Sequence, residues 1–312
     1  HCSMRVIRSG WQTWCSAWLR VPDMALQLAH ITDKGAVRLS NQDSFCARIS
    51  NFGQETIALL TVCDGMGGLQ SGELASTGAV RGFENWFEQQ LPSLVREGLT
   101  EEAVFLSWHR MLETLHGTLC GYSEKEGIRL GTTVSALLLT RERFYQAQIG
   151  DSRIYLDDGI TLEQMTKDQT LAMREMEAGR LSPDQMRTDR RNSVLLQCLG
   201  YGKMEPVFKS GQRPQQGAVL LCSDGLCHHL TENQIHQLLT GTQTRDQLQQ
   251  LLQSAVDFCR SRGETDNITA LALKWDGQGS LRSSTEDWIE VWARLSGEAA
   301  PEEYDRKLGG IL

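Results

Sequence analysis

Leu59-Leu60-Thr61-Val62-Cys63-Asp64-Gly65-Met66-Gly67-Gly68 is an apolar run that stops on an aspartate followed by glycines. Thr56 to Cys63 reads as a strand, with Asp64-Gly65 as its abrupt end. Three more stretches share the design, in which an apolar strand ends and an aspartate follows at once beside glycine or another turn residue. They are Ala147-Gln148-Ile149-Gly150-Asp151-Ser152-Arg153, Val219-Leu220-Leu221-Cys222-Ser223-Asp224-Gly225 and Thr265-Asp266-Asn267-Ile268-Thr269. A strand end is a stiffer platform for an ionisable group than a free loop. The neighbouring glycines let backbone approach a ligand and offer carbonyl oxygens. One Asp-Gly is ordinarily a turn; four such segments point to a gathered set of carboxylates.

Gathering them has a cost. Two carboxylates about 4 Å apart repel by about 4 kcal/mol at an effective dielectric near 20. Divalent cations reverse that sign. Oxygen ligands without His or Cys select hard ions, Mg²⁺ or Mn²⁺ rather than zinc. Two such ions a few ångströms apart can share a water, lower its pKa and hold it for in-line attack on phosphorus.

Outward from these segments, further strands are expected over Ala25–Thr32, Ser44–Ser50, Thr133–Leu139, Phe144–Ile149, Arg153–Leu156, Val219–Cys222 and Ile268–Trp275. Helical periodicity covers Ser71–Gln90, Thr100–Tyr122, Thr231–Leu239 and Arg245–Arg260. Thr100 and Thr231 open two of these as caps, with Glu101, Glu102 and Glu232 in the first turns. Gln169–Arg191 is polar and charged and belongs outside the sheets. Strand clusters separated by paired helices predict an α+β domain of antiparallel sheets with helices outside them.

Across about Ala25 to Trp275 the chain resembles the metal-dependent Ser/Thr protein phosphatases of type 2C in their bacterial form. The resemblance rests on six elements in family order: Gly35-Ala36-Val37-Arg38-Leu39-Ser40-Asn41-Gln42-Asp43, Asp64-Gly65-Met66-Gly67-Gly68, Gly131-Thr132-Thr133, Ile149-Gly150-Asp151-Ser152-Arg153, Ser223-Asp224-Gly225 and Asp266-Asn267. It implies a central sandwich of two antiparallel β-sheets flanked by pairs of α-helices on both faces. It also implies hydrolysis of phosphoserine and phosphothreonine monoesters with two Mn²⁺ or Mg²⁺ ions and a third, weaker one. In that scheme Asp64 bridges both catalytic ions and Gly65 gives its carbonyl to one. Asp224 and Asp266 complete the other, Asp151 with Asp224 holds the third, Arg38 grips the substrate phosphate, and Asp43 is an outer-shell acceptor. The implied partner is a phosphorylated protein, a target of a Ser/Thr kinase. The alternative is a catalytically silent binding module of the same fold, against which the intact Asp64, Asp151, Asp224, Asp266 and Arg38 argue.

The chain departs from the family pattern in places. Gln42 stands where glutamate is usual beside Asp43, which removes a negative charge near the second ion and predicts weaker binding there. Met66 occupies the place of a histidine proposed as general acid in animal relatives, so no general acid is assigned. Gln169 replaces a common histidine, and His228-His229 follow Asp224-Gly225; neither histidine is expected to ligate metal. Residues 170–192 match the flap region in position, with Arg187, Arg190 and Arg191 available for acidic or phosphorylated substrates.

The bulk of the chain agrees with this reading. Its 312 residues are 40% hydrophobic and 22% charged, with a net charge of −8, which argues against a nucleic-acid binder. Nine cysteines without a CxxC pair fit a reducing, cytoplasmic setting rather than disulfides or zinc. No run approaches the ~18 apolar residues of a membrane span. Three divisions are expected: an N-terminal extension over residues 1–23, a catalytic domain over 24–276, and a linker with a short helical segment over 277–312. Trp288, Ile289, Trp292 and Leu295 would form one face of that helix.

Overall fold

In this computed structural model the described residues are 26–52, 55–67, 71–276 and 289–293. The first 126 residues supply β1 (Gln27–Asp33), β2 (Asp43–Phe52), β3 (Glu55–Gly67), α1 (Ser71–Gln89), α2 (Leu91–Arg96) and α3 (Glu101–Glu126). Then come β4 (Leu130–Thr132), β5 (Val134–Leu139), β6 (Arg143–Ile149), β7 (Arg153–Asp157) and β8 (Leu162–Gln164). Two short helices, α4 (Leu171–Glu177) and α5 (Pro183–Thr188), and a 3-10 turn at Arg190–Ser193 stand off the sheets. The chain continues with β9 (Val207–Gln212), β10 (Gly217–Cys222), α6 (Asp224–Cys227), α7 (Glu232–Thr240), α8 (Arg245–Ser261), β11 (Ile268–Trp275) and β12 (Ile289–Ala293).

One sheet runs β1-β11-β10-β7-β8, and the other β12-β2-β3-β5-β6-β9 with β4 paired to β3. The pairings are antiparallel throughout. Strand periodicity explains why the central strands are apolar without a break. In β10, Val219 and Leu221 face the inter-sheet core, while Leu220 and Cys222 face the layer of α6, α7 and α8. In β3, Leu60 and Val62 lie between the sheets, and Ile57, Leu59 and Cys63 pack toward α1 and α3. On that outer side Trp86 and Phe83 meet Trp108 edge-on, at 5.3 and 5.5 Å between ring centroids. The expected four-layer α+β sandwich is the observed one.

The helix starts follow their caps. The hydroxyl of Thr100 accepts from Ala103 N, and Thr231 and Thr244 open α7 and α8 with full capping boxes.

Three expectations change. Asp64 does not follow the end of a strand: β3 runs on to Gly67 because β4 supplies a partner, pairing Gly65 with Thr132. Asp266 precedes its strand, two residues before β11 begins. Ile289–Ala293 is a strand on β2, where a helical segment was expected; alternation of Ile, Val and Ala with Glu and Trp suits an open sheet edge. Trp288 and Leu295 lie outside the described residues, as do residues 1–23.

The antiparallel register sets the place of the site. Asp43 opens β2 directly opposite Asp64 on β3. Both share the parity of inter-sheet residues, Asp43 with Phe45 and Asp64 with Val62. The β6–β7 turn, the end of β10 and the start of β11 fall at the same end of the sandwich, since Val134 pairs Ile149 and Cys222 pairs both Arg153 and Ala270.

Candidate active site

The segment between β1 and β2 carries Arg38, and Asn267 holds it in place. The Asn267 amide donates to the carbonyls of Lys34 (2.8 Å) and Ser40 (3.1 Å), and its Oδ1 accepts from Gln42 N at 2.8 Å. The Arg38 guanidinium then reaches Asp266, with Nη2 donating to Oδ2 at 2.6 Å. The bond to Asp266 raises the Arg38 pKa, and the charges of Asp64 and Asp224 add to that. Expected site residues from opposite ends of the chain are therefore neighbours.

The carboxylates act on one another. Asp43 is buried, and burial, reinforced by Asp224 and Asp266, raises its pKa to about 7 against the hydrogen bonds from Thr269 and Ser223. Burial likewise pushes Asp64 well above the usual carboxylate range, with Asp43, Asp224, Asp151 and Asp266 adding repulsion. Asp151 is raised by burial and then by Asp224 and Asp168, and Asp224 by burial and by Asp266. Among the described residues no three His, Cys, Asp or Glu side chains stand as a preformed metal cage. The residues present nevertheless fit a hard divalent cation. Asp43 Oδ1 and Asp224 Oδ1 are buried with no hydrogen-bond partner, which is costly for anionic oxygens unless a positive charge meets them.

A network of hydroxyls fixes these acids. Asp64 N donates to Thr133 Oγ1 at 2.8 Å, while Thr133 N and the Thr132 hydroxyl both donate to Asp64 O at 2.9 Å. The Thr133 hydroxyl also meets Ser152 Oγ at 2.7 Å, tying Asp64 to the Asp151 turn. Ser223 Oγ donates to Asp43 Oδ2 and accepts from Thr269 N, each at 2.9 Å. Gly65 sits against α1: a Cβ there would lie 2.2 Å from the carbonyl oxygen of Gly72. At Gly150, φ +95°, a Cβ would lie 2.7 Å from Thr133 Cγ2.

The departures from the family pattern find places as well. Gln169 braces the Asp151 turn, accepting from Gly150 N at 2.6 Å while its own N–H donates to Gly150 O. Gln42 lies beside the acids, its amide 3.4 Å from Gly67 O. His228 Nδ1 is 3.8 Å from Asp224 Oδ2, too far for a hydrogen bond. His229 turns away to Glu264 at 2.9 Å, and Glu264 in turn accepts from Asp266 N. In the flap region Arg191 is engaged by Asp189 at 2.7 Å and Glu175 at 3.7 Å; the Arg187 side chain lies outside the described residues. Sequence reading missed the Thr132, Thr133, Ser152 and Ser223 hydroxyls as working parts, although all four residues sit in the motifs that carry the family resemblance.

The raised carboxylates make a stability prediction. A group whose pKa is higher in the folded than in the unfolded state favours folding below its ordinary pKa, and that advantage disappears as pH rises through the folded value. For Asp43 the window runs from about 4 to about 7. The metal-free protein should therefore melt several degrees lower at pH 7.5 than at pH 5.5. Adding Mn²⁺ should raise the midpoint far more at pH 7.5, where the acids are charged. Differential scanning calorimetry with EDTA or Mn²⁺ checks this; equal shifts at both pH values would contradict it.

Comparison with known proteins agrees with the geometry. The family model described as protein phosphatase 2C matches residues 32–253. A serine/threonine phosphatase stp of Listeria monocytogenes is 29% identical over 249 residues, covering 78% of this chain and 94% of its own length. The S. agalactiae serine/threonine phosphatase structure superposes with a TM-score of 0.67 at 25% identity, covering 80% of this chain and 99% of that one. The catalytic domain of the serine/threonine protein phosphatase PstP, solved in complex with two manganese ions, matches with a TM-score of 0.64 at 25% identity, over 80% and 98% of the two chains.

Proposed function

The chain belongs to the protein phosphatase 2C family, and from that premise we propose that Asp64, Asp224 and Asp266 hold two divalent cations against which Arg38 presents a phosphoserine or phosphothreonine monoester. The enzyme is a metal-dependent protein-serine/threonine phosphatase. The observation that carries the site assignment is that Asp43 Oδ1 and Asp224 Oδ1 are buried without a hydrogen-bond partner, with Asp64 paired opposite Asp43 and the Arg38 guanidinium on Asp266.

Bound Mn²⁺ or Mg²⁺ would neutralise developing charge on the phosphoryl oxygens and lower the pKa of water. The rest is done by the chain's own groups. Asp64, the Gly65 carbonyl, Asp224 and Asp266 would hold the two ions, and Asp151 with Asp224 would hold a third. Asp43 is an outer-shell acceptor, held by Ser223, and Gln42 lies beside it with one charge fewer than glutamate would bring. Arg38 orients the phosphate through its planar fork of donors, and Asp266 keeps that fork at the mouth of the site. Thr133 holds the Asp64 backbone in place.

The catalytic unit is assigned to residues 24–276, and its substrates to phosphoproteins made by a Ser/Thr kinase. No described helix is long and apolar enough to cross a membrane. Seven described cysteines are free, which supports a reducing, cytoplasmic setting.

The test is hydrolysis of a phosphothreonine peptide and of 4-nitrophenyl phosphate with Mn²⁺, Mg²⁺ or EDTA. Turnover that needs the metal is expected. A folded protein that turns over neither substrate with either metal would favour the silent binding module.

A further inference from the structure

We propose that Val37 and Leu39, the two residues that bracket Arg38, form an apolar rim selecting phosphoprotein segments with apolar side chains next to the phosphorylated serine or threonine. The proposal rests on the phosphatase reading above and names the substrate class of that same site.

Leu39 is 89% exposed and Val37 65% exposed, while the Arg38 side chain between them turns to Asp266. Single exposed apolar residues are ordinary on protein surfaces. Here the pair flanks Arg38, whose guanidinium bonds Asp266, so a phosphopeptide held by Arg38 would lie beside both.

The exposure is also imposed rather than incidental. The loop is pinned at both ends: Gly35 N donates to Asp33 Oδ1 at 2.7 Å, and Asn267 ties Lys34, Ser40 and Gln42. Asn41 donates to the Thr32 hydroxyl at 2.7 Å, and its own Oδ1 accepts from Asp43 N at 3.1 Å. Gly35 packs on the carbonyl of Asp266, so the loop cannot sink to bury Val37 and Leu39 without breaking these bonds. They can be covered only from outside. Val37 and Leu39 are the chain neighbours of Arg38, so the occupant proposed is the substrate segment on each side of its phosphate. Covering even part of a leucine and a valine favours an apolar neighbour over a polar one by about tenfold.

The experiment compares two phosphothreonine peptides of equal length and charge, with leucines or with serines flanking the phosphothreonine. Both are assayed with Mn²⁺ against wild type, Leu39→Ser, Val37→Thr with Leu39→Ser, and Leu39→Met. For wild type, kcat/KM is expected to favour the leucine peptide by about tenfold. The ratio should fall toward one in the double variant and be retained in Leu39→Met, which separates apolar contact from a general disturbance of the loop. A wild-type ratio near one, or a ratio unchanged in the double variant, would overturn the proposal while the peptides are still hydrolysed. Self-association lost in Leu39→Ser, with no peptide preference, would assign the face to a second copy and overturn it equally. Absence of all turnover, of 4-nitrophenyl phosphate included, would instead sink the phosphatase reading.

Discussion

Asp224→Asn is expected to lower metal-dependent phosphopeptide turnover by about 10³-fold, equivalent to about 4 kcal/mol of lost transition-state stabilisation. The substitution keeps the shape of the side chain and removes its charge. Asp224 opens α6 at the end of β10, with one carboxylate oxygen buried and unpartnered. In the metal-free protein that carboxylate is a liability, since burial, and then Asp266, raises its pKa. The same change should therefore raise the thermal midpoint in EDTA at pH 7.5 while abolishing most of the Mn²⁺-dependent shift. A residue held for function at a cost in stability gives this split. Loss of activity together with a lower midpoint in EDTA would instead make Asp224 a structural residue.

Arg38→Ala is expected to reduce kcat/KM for the phosphothreonine peptide by about 10²-fold, the scale of a charge-assisted bidentate contact made to the reacting group. Arg38→Lys should recover little of it, because an ammonium supplies one point of charge and cannot match two phosphate oxygens in a plane. Arg38 is half exposed and, among the described residues, pairs only with Asp266, so the fold should hardly register the change. Steady-state kinetics on both variants checks this. Full activity in Arg38→Lys would show that charge alone is used, and full activity in Arg38→Ala would remove Arg38 from the site.

How far these residues were legible depended on the reach of the interaction. The strands of the core announced themselves because burial on both faces demands unbroken apolar runs; Ile268–Trp275 matches its expected range at both ends. Exposed edges carry no such demand. β9, Val-Phe-Lys-Ser-Gly-Gln, is nowhere fully buried and was not expected, nor was the three-residue β8. The extension of β3 through Asp64 depends on β4, a strand of only Leu130–Thr132 brought alongside by tertiary packing.

The aspartates were legible for the opposite reason. Charge at the edge of an apolar strand is locally anomalous, and the anomaly recurs four times. Their supports were not. Thr133 reaches Asp64 across 69 residues and Ser223 reaches Asp43 across 180. Hydroxyl residues are too common in sequence to signal such a pairing. Gln169 illustrates both sides: its departure from the usual histidine was visible, but its bond to Gly150 came only with the fold.

The central claim is that the acids at this end of the sandwich are the ligands of hard divalent cations. The most direct measurement is anomalous diffraction from crystals grown with Mn²⁺. Two strong peaks beside Asp64, one of them shared with Asp224 and Asp266 and both absent from Asp64→Asn crystals, are the predicted result. No peak at this end of the sandwich at millimolar Mn²⁺, or a single peak on His228 and His229, would contradict the account.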